Sequence, residues 1–188
     1  MPSSTRKIIM DSLVKLLDER PLDRISVKDI VVDCGINRNT FYYHFADIPD
    51  LVESILKDEA DLIMRDYRGI SSLQDCIDTA MRVGVDHKRA ILHIYNSAHR
   101  DIYERQLLRV CEYVATAFVN NTAAGRPMND EDRETLIMGY KCECFGCVIN
   151  WLSNDMSEEM RRRVLRLYEL RQGLAEQLID KLTLQAES

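Results

Sequence analysis

The chain has 188 residues, is 46% hydrophobic and 30% charged, and carries a net charge of −6. That balance excludes a disordered chain, and the acidity excludes a protein that coats nucleic acid without regard to sequence. No apolar run approaches the roughly 18 residues needed to cross a bilayer, and the N-terminus lacks a signal core, so a cytoplasmic protein with no membrane partner is expected.

With only seven glycines and four prolines, and no sustained apolar–polar alternation, the expected fold class is all-α. Ile8, Ile9, Leu13, Leu16 and Leu17 share one face of a first helix that stops before Pro21. Ser26, three residues before Asp29, is a capping-box start for a second helix through Asp33. Cys34-Gly35-Ile36 forms the turn, where Gly35 is free to take positive φ. Asn37 caps a short third helix, Arg38 to Phe45. Phe41 and Phe45 turn inward there with Val27, Ile30 and Ile36. Asp47 caps a fourth helix with Pro49 in its first turn, carrying Leu51, Val52, Ile55, Leu56, Ala60, Leu62, Ile63 and Tyr67. Ser72-x-x-Asp75 opens a fifth helix towards Asp86, a sixth covers 88–97, and a seventh runs from Asp101 to Asn120. After the loop 121–127 come two long helices, Asp130 to Leu152 and Ser157 to Leu182, broken at Ser153-Asn154-Asp155. The sum is about nine helices in two domains: a three-helix head, 1–47, and a helical body, 48–188.

The hairpin around Gly35 has the size of a helix-turn-helix. Its second helix starts with Asn37, Arg38, Asn39 and Thr40, groups that reach base edges and phosphates, followed by the longer donors Tyr42, Tyr43 and His44. Pattern alone leaves open a plain surface-polar hairpin stabilised by aromatic packing. Residues 1–50 hold seven basic and eight acidic residues, so DNA binding here depends on local donors rather than bulk charge.

The runs Ile25-Ser26-Val27-Lys28-Asp29-Ile30 and Cys34-Gly35-Ile36-Asn37-Arg38-Asn39-Thr40-Phe41-Tyr42-Tyr43-His44-Phe45 resemble the DNA-binding signature of the TetR family, over about residues 6–56. The resemblance implies that Thr40, Tyr42 and His44 touch the DNA backbone. It places Ser26, Lys28, Arg38, Asn39 and Tyr43 near phosphates or bases. It also implies a homodimer on a near-palindromic double-stranded DNA operator, controlled by a small-molecule effector of unknown identity. Two positions depart from the family pattern. Asn39 stands where Gly or Ala is usual, adding a base-contacting group. Ile48 replaces a phosphate-holding lysine, for which the N-terminus of the fourth helix is expected to substitute in part. The run Phe41 to Leu51 resembles a branch that includes an activator of dihydroxyacetone kinase genes. Repression is the expected sign of regulation, with activation as the alternative.

Family resemblance further implies dimerisation through the last two helices. Leu136, Ile137, Tyr140, Cys144, Cys147, Val148 and Trp151 line one side of the first. Leu167, Leu170, Leu174, Leu178 and Leu182 line the second. Intramolecular core is the competing reading. Candidates for an effector pocket among the middle helices are His87, His93, Tyr95, His99, Tyr103 and Tyr113, with Met81 and Met138 as adaptable lining; ordinary core or surface roles compete for each.

The six cysteines (Cys34, Cys76, Cys111, Cys142, Cys144, Cys147) read as free thiols in a cytoplasmic chain. Cys144 and Cys147 share a helix face while Cys142 points nearly opposite Cys144, so one helix cannot offer all three to a metal. Close packing is the leading reading of this cluster, with a thiol sensor or a metal site as alternatives. No metal and no cofactor are expected. Nor is an enzyme, since the four histidines are scattered and no nucleophile–base set stands out. The sequence therefore points to a sequence-specific DNA-binding transcriptional regulator. The alternative is a helical ligand-binding or protein-interaction module whose head has lost DNA binding.

Overall fold

The computed structural model describes residues 4–66 and 72–186, and the regular elements among them are all helical. The described elements are α1 (Ser4–Glu19), a 3-10 turn at Leu22–Arg24, α2 (Val27–Cys34), α3 (Arg38–His44), α4 (Ile48–Asp66), α5 (Leu73–Asp86), α6 (Lys88–Tyr95), α7 (Arg100–Thr122), α8 (Asp130–Ser153), α9 (Glu158–Leu170) and α10 (Leu174–Ala186). Tyr67, expected to close the apolar stripe of α4, lies outside the described residues.

The helix starts follow from side-chain caps. Ser26, Asn37, Asn129 and Ser157 each accept a hydrogen bond from a backbone N–H three residues on, satisfying a donor that the first turn leaves unpaired. The last expected helix, Ser157 to Leu182, is divided into α9 and α10 among the described residues. The cause is local. Gly173 sits at φ +81°, a left-handed conformation that ends a helix and that glycine adopts without a Cβ penalty.

Two compact units result. The first comprises residues up to Asp61 together with Asp86–Gln106. Its core joins Ile9, Leu13 and Leu17 of α1 to Ile30, Phe41, Phe45, Leu51 and Val52, and it takes in Ala90 and Ile94 of α6 and Ile102 of α7. The second comprises Leu62–Val85 and residues from Leu107 onward. Its buried residues include Cys76, Ile77, Met81, Cys111, Ala115, Val119, Trp151, Leu152, Tyr168 and Ile179. Gly84 lets α5 approach α8 closely: a Cβ there would stand 3.3 Å from the Trp151 ring. Arg161 of α9 pairs with Asp78 of α5 and with Glu158. No described helix is long and apolar enough to cross a membrane.

Candidate nucleic-acid interface

The two short helices α2 and α3 are each fixed at both ends by their own sequence. Ser26 Oγ accepts from the Asp29 N–H at 3.3 Å while the Ser26 N–H donates to Asp29 Oδ2 at 2.9 Å, the reciprocal capping box. Gly35 takes φ +66° at the end of α2. Asn37 Oδ1 then accepts from the Thr40 N–H at 2.9 Å and from the Thr40 hydroxyl at 3.1 Å. Phe41 and Phe45 are fully buried, with ring centroids 6.0 Å apart, and the Arg6 guanidinium lies 5.5 Å from the Phe45 centroid.

With α3 pinned by those two rings, its remaining side chains are turned outward. Arg38 and Asn39 are exposed, Tyr42 is 55% and Tyr43 84% exposed, and Thr40 and His44 are half-buried. Tyr43 and His44 meet edge to face at 5.0 Å. Ser26 and Lys28 are also exposed. An 84% exposed tyrosine carries no packing role within one chain, and its ring and hydroxyl are available to a polar partner.

Electrostatics refine the picture of a near-neutral head. Lys15 pairs with Asp33 at 2.5 Å, Arg20 with Asp29 at 3.4 Å and Arg6 with Asp58 at 2.9 Å. The Ser26 hydroxyl holds the Asp29 carboxyl below the usual carboxylate range. The Lys15 ammonium does the same for Asp33 and is itself pushed up. The carboxylates of α2 are therefore compensated inside the head, while Lys28 and Arg38 form no ion pair among the described residues and remain available to phosphates. Those three ion pairs link distant positions, and no local pattern announces them.

The expectation for α4 needs correction. Asp47 Oδ1 accepts from the Asp50 N–H at 2.8 Å, Asp50 Oδ2 accepts from the Ala46 N–H at 2.8 Å, and Pro49 has no N–H. Carboxylates thus occupy the start of α4, and two negative charges there oppose a phosphate. Ile48 is partly buried against the head core, which explains an apolar residue where a lysine was expected.

The residues considered for an effector pocket are divided between the two units. His93, Tyr95, His99 and Tyr103 belong to the first unit, Met81, Tyr113 and Met138 to the second. His93 Nδ1 lies 2.6 Å from the Leu17 carbonyl in the last turn of α1. Tyr95 is buried, edge-on to Tyr103 at 6.3 Å, with the Arg100 guanidinium 4.0 Å from its ring. His87 is exposed, His99 and Tyr113 are half-buried, Met81 is buried and Met138 exposed. None of them lines the cavity of about 160 Å³ in the second unit, which is bounded by Phe118, Tyr140, Glu143, Tyr168, Arg171 and Glu176 among others. Sequence reading missed Glu143, Arg171 and Glu176, because Glu143 reaches Arg171 only once α9 folds back along α8.

The residues considered for a dimer interface separate into two groups. Cys144 and Trp151 are buried within the unit, Cys144 Sγ lying 3.5 Å from the Tyr168 hydroxyl and Trp151 Nε1 donating to the Ser157 carbonyl at 3.2 Å. Tyr140 and Cys147 are half-buried. Leu167, Leu170, Leu174 and Leu178 are 39–64% exposed. All described cysteines are free. Burial pushes the Cys144 thiol up to about 11 and Cys76 up to about 12, and raises Cys111 and Cys147. Such thiols are protonated and unreactive near neutrality, and no group of three metal-ligating side chains converges among the described residues.

Residues 9–55 match the family described as "Bacterial regulatory proteins, tetR family", and residues 71–173 match "Transcriptional regulator C-terminal region". The HTH-type transcriptional regulator SAR2658 of Staphylococcus aureus (strain MRSA252) is 28% identical over 91 residues, 44% of this chain and 49% of that protein. The chain thus spans about half the length of the curated relative it matches. Among solved structures, the dihydroxyacetone kinase operon activator DhaS superposes with a TM-score of 0.64 at 18% identity, covering 95% of this chain and 98% of that one. Salmonella enterica GusR gives 0.59 at 17% identity, with 89% and 95% covered. Likenesses at these identities show a shared fold.

Proposed function

Because the chain belongs to the TetR family of DNA-binding transcriptional regulators, which are not enzymes, we propose that it is a homodimeric, effector-controlled repressor that reads a near-palindromic operator with α3. The carrying observation is the outward set Arg38, Asn39, Tyr42 and Tyr43 on a helix locked from behind by Phe41 and Phe45. In this reading α3 lies in the major groove. Tyr42, His44 and Thr40 hold the DNA backbone, Arg38, Asn39 and Tyr43 reach bases or phosphates, and Lys28 and Ser26 flank them. Asn37 serves chiefly as the cap that aims the helix. The protein works where the DNA is, in the bacterial cytoplasm.

Dimerisation supports the reading physically. A twofold pair of heads fits two half-sites in successive major grooves, and the exposed leucines of α9 and α10 offer an apolar face for self-association. An effector held by the second unit acts through α4 and α7, each of which contributes residues to both units, favouring one head arrangement over another. Repression follows from an operator-bound dimer obstructing transcription. DhaS, one of the similar structures, is named an operon activator, so activation is the competing sign, separated by reporter output with and without the regulator.

The test is fluorescence anisotropy with an operator obtained by selection from random duplexes. Affinity should fall with salt in proportion to the phosphates neutralised. Tyr42→Ala with His44→Ala should weaken binding on the order of a hundredfold, at about 1.5 kcal/mol for each lost hydrogen bond to a charged phosphate. Equal binding by wild type and the double variant would sink the assignment of these residues. Absence of salt-dependent binding to any duplex would leave a helical ligand-binding module.

A further inference from the structure

Five helical segments of the second unit meet at its cavity: the start of α5, α7, α8, α9 and the α9–α10 corner. Its volume of about 160 Å³ is close to that which accommodates a benzene-sized molecule. Three of its walls are aromatic. Phe118 and Tyr140 meet edge to face at 5.1 Å, and the buried Tyr168 forms a third. The charged groups on the lining are Glu143, Glu176 and Arg171, two carboxylates against one guanidinium. Glu143 is the most enclosed of them, its side chain only 15% exposed, and its ion-pair partner is Arg171, 39% exposed. Burial raises the Tyr140 phenol, the Arg171 charge opposes that rise, and the charges of Glu143 and Glu176 add to it. Arg171 and both carboxylates therefore act on the same corner of the cavity.

We infer that this cavity is the effector site and that it takes a small organic monocation, a protonated amine of about five to eight heavy atoms, held between Glu143 and the Phe118, Tyr140 and Tyr168 rings. The chemistry is specific. Aromatic faces attract a cation and have no comparable attraction for an anion. A carboxylate that is mostly removed from water favours a positive partner over a neutral one. A bound cation also competes with Arg171 for Glu143. That pair ties α8 to the Arg171–Gly173 turn, the segment that orients α10, so occupancy loosens the face proposed above for self-association. The inference deepens the regulator reading and rests on it only for the consequence, not for the binding.

The test uses the full chain and three probes that share a tert-butyl body, tert-butylammonium, tert-butanol and pivalate, with affinities from ligand-observed saturation-transfer NMR. The ammonium should bind at least about tenfold tighter than the alcohol, with pivalate weakest. Glu143→Gln should cost the ammonium about tenfold and raise pivalate above it, because Arg171 is then left without its carboxylate. Glu176→Gln, at an exposed position that leaves the fold intact, should cost severalfold. Alcohol or pivalate binding as well as the ammonium would overturn the inference, as would an unchanged ammonium affinity in a folded Glu143→Gln chain. If that variant does not fold, an unchanged affinity in Glu176→Gln overturns it. Operator anisotropy with the same probes separates the two readings. A chain that binds operator but no ammonium ends the cavity assignment alone. A chain that binds the ammonium through Glu143 but no operator ends the regulator reading alone.

Discussion

In the unit built on α1 to α4, buried and exposed side chains alternate within one turn of α3: Phe41 is fully buried while Tyr42 and Tyr43 beside it are 55% and 84% exposed. In the unit that carries α8 to α10 large apolar side chains stand exposed instead. Leu167, Leu170, Leu174 and Leu178 are 39–64% exposed, although Cys144 and Trp151 nearby are buried. The first surface asks for a polar partner with acceptors, the second for an apolar one. A polyanionic duplex meets the first requirement and a second copy of the chain meets the other. In the proposed reading the two faces divide recognition from assembly.

Phe41→Ala is the strongest way to break that division. Removing a fully buried ring should cost about 3–5 kcal/mol in a denaturant or thermal melt, and operator binding should disappear with it. Survival of full operator affinity would mean that α3 is not held from behind as described. Next comes the leucine face. Leu170→Glu with Leu174→Glu should weaken self-association on the order of a hundredfold or more in sedimentation velocity, taking about 1.5 kcal/mol or more for each buried leucine. Helicity should be unchanged, since both leucines are exposed in the single chain. A dimer that persists in the double variant moves the interface elsewhere.

Thiol chemistry sharpens the buried half of the second unit. A thiol raised to about 11 at Cys144 holds about a hundredfold less thiolate near pH 8 than an ordinary cysteine. Timed iodoacetamide labelling with mass spectrometry should find the exposed Cys142 modified first and Cys76, Cys111 and Cys144 at least about a hundredfold slower. Comparable rates would revive a thiol-sensor role for the Cys142–Cys147 run. The smallest effect belongs to Ser26→Ala, which removes a cap and should cost about 1 kcal/mol at neutral pH. Asp29 has a lowered folded-state value, first through the Ser26 hydroxyl. Its contribution is therefore complete above the unfolded value near 3.9 and is lost as pH falls through the lowered folded one. The Ser26→Ala deficit should shrink over that acidic window, and a deficit independent of pH would show that the carboxylate plays no part.

The head was legible because its rules are local. Ser26 and Asp29, Gly35, Asn37 and Thr40, and the Phe41–Phe45 spacing each act over four residues or fewer, within the reach of a single helical turn. The Lys-to-Ile change at position 48 was visible too, but its meaning was not. Reading it as a gap filled by free N–H groups overlooked that Asp47 already takes the Asp50 N–H and that the Asp50 carboxylate, bonded to the Ala46 N–H, adds a second negative charge there. In the second unit, residue type was a poor guide. Leu174 and Leu178, expected at a dimer interface with core as the competing reading, are exposed in the single chain. Tyr95, attractive as a ligand contact, is buried against Tyr103 and Arg100 of its own unit.

By itself the sequence determined the all-helical class, the capped hairpin and the outward chemistry of α3, because caps, turns and periodicity are short-range. Tertiary structure decided the rest. It placed α6 in the same core cluster as α1, paired Lys15, Arg20 and Arg6 with distant carboxylates, and sorted the residues of α8 to α10 into buried and exposed. It also brought Glu143 to Arg171 across 28 positions. Contacts of that range depend on how whole helices pack, and nothing in a local stretch of residues specifies the partner.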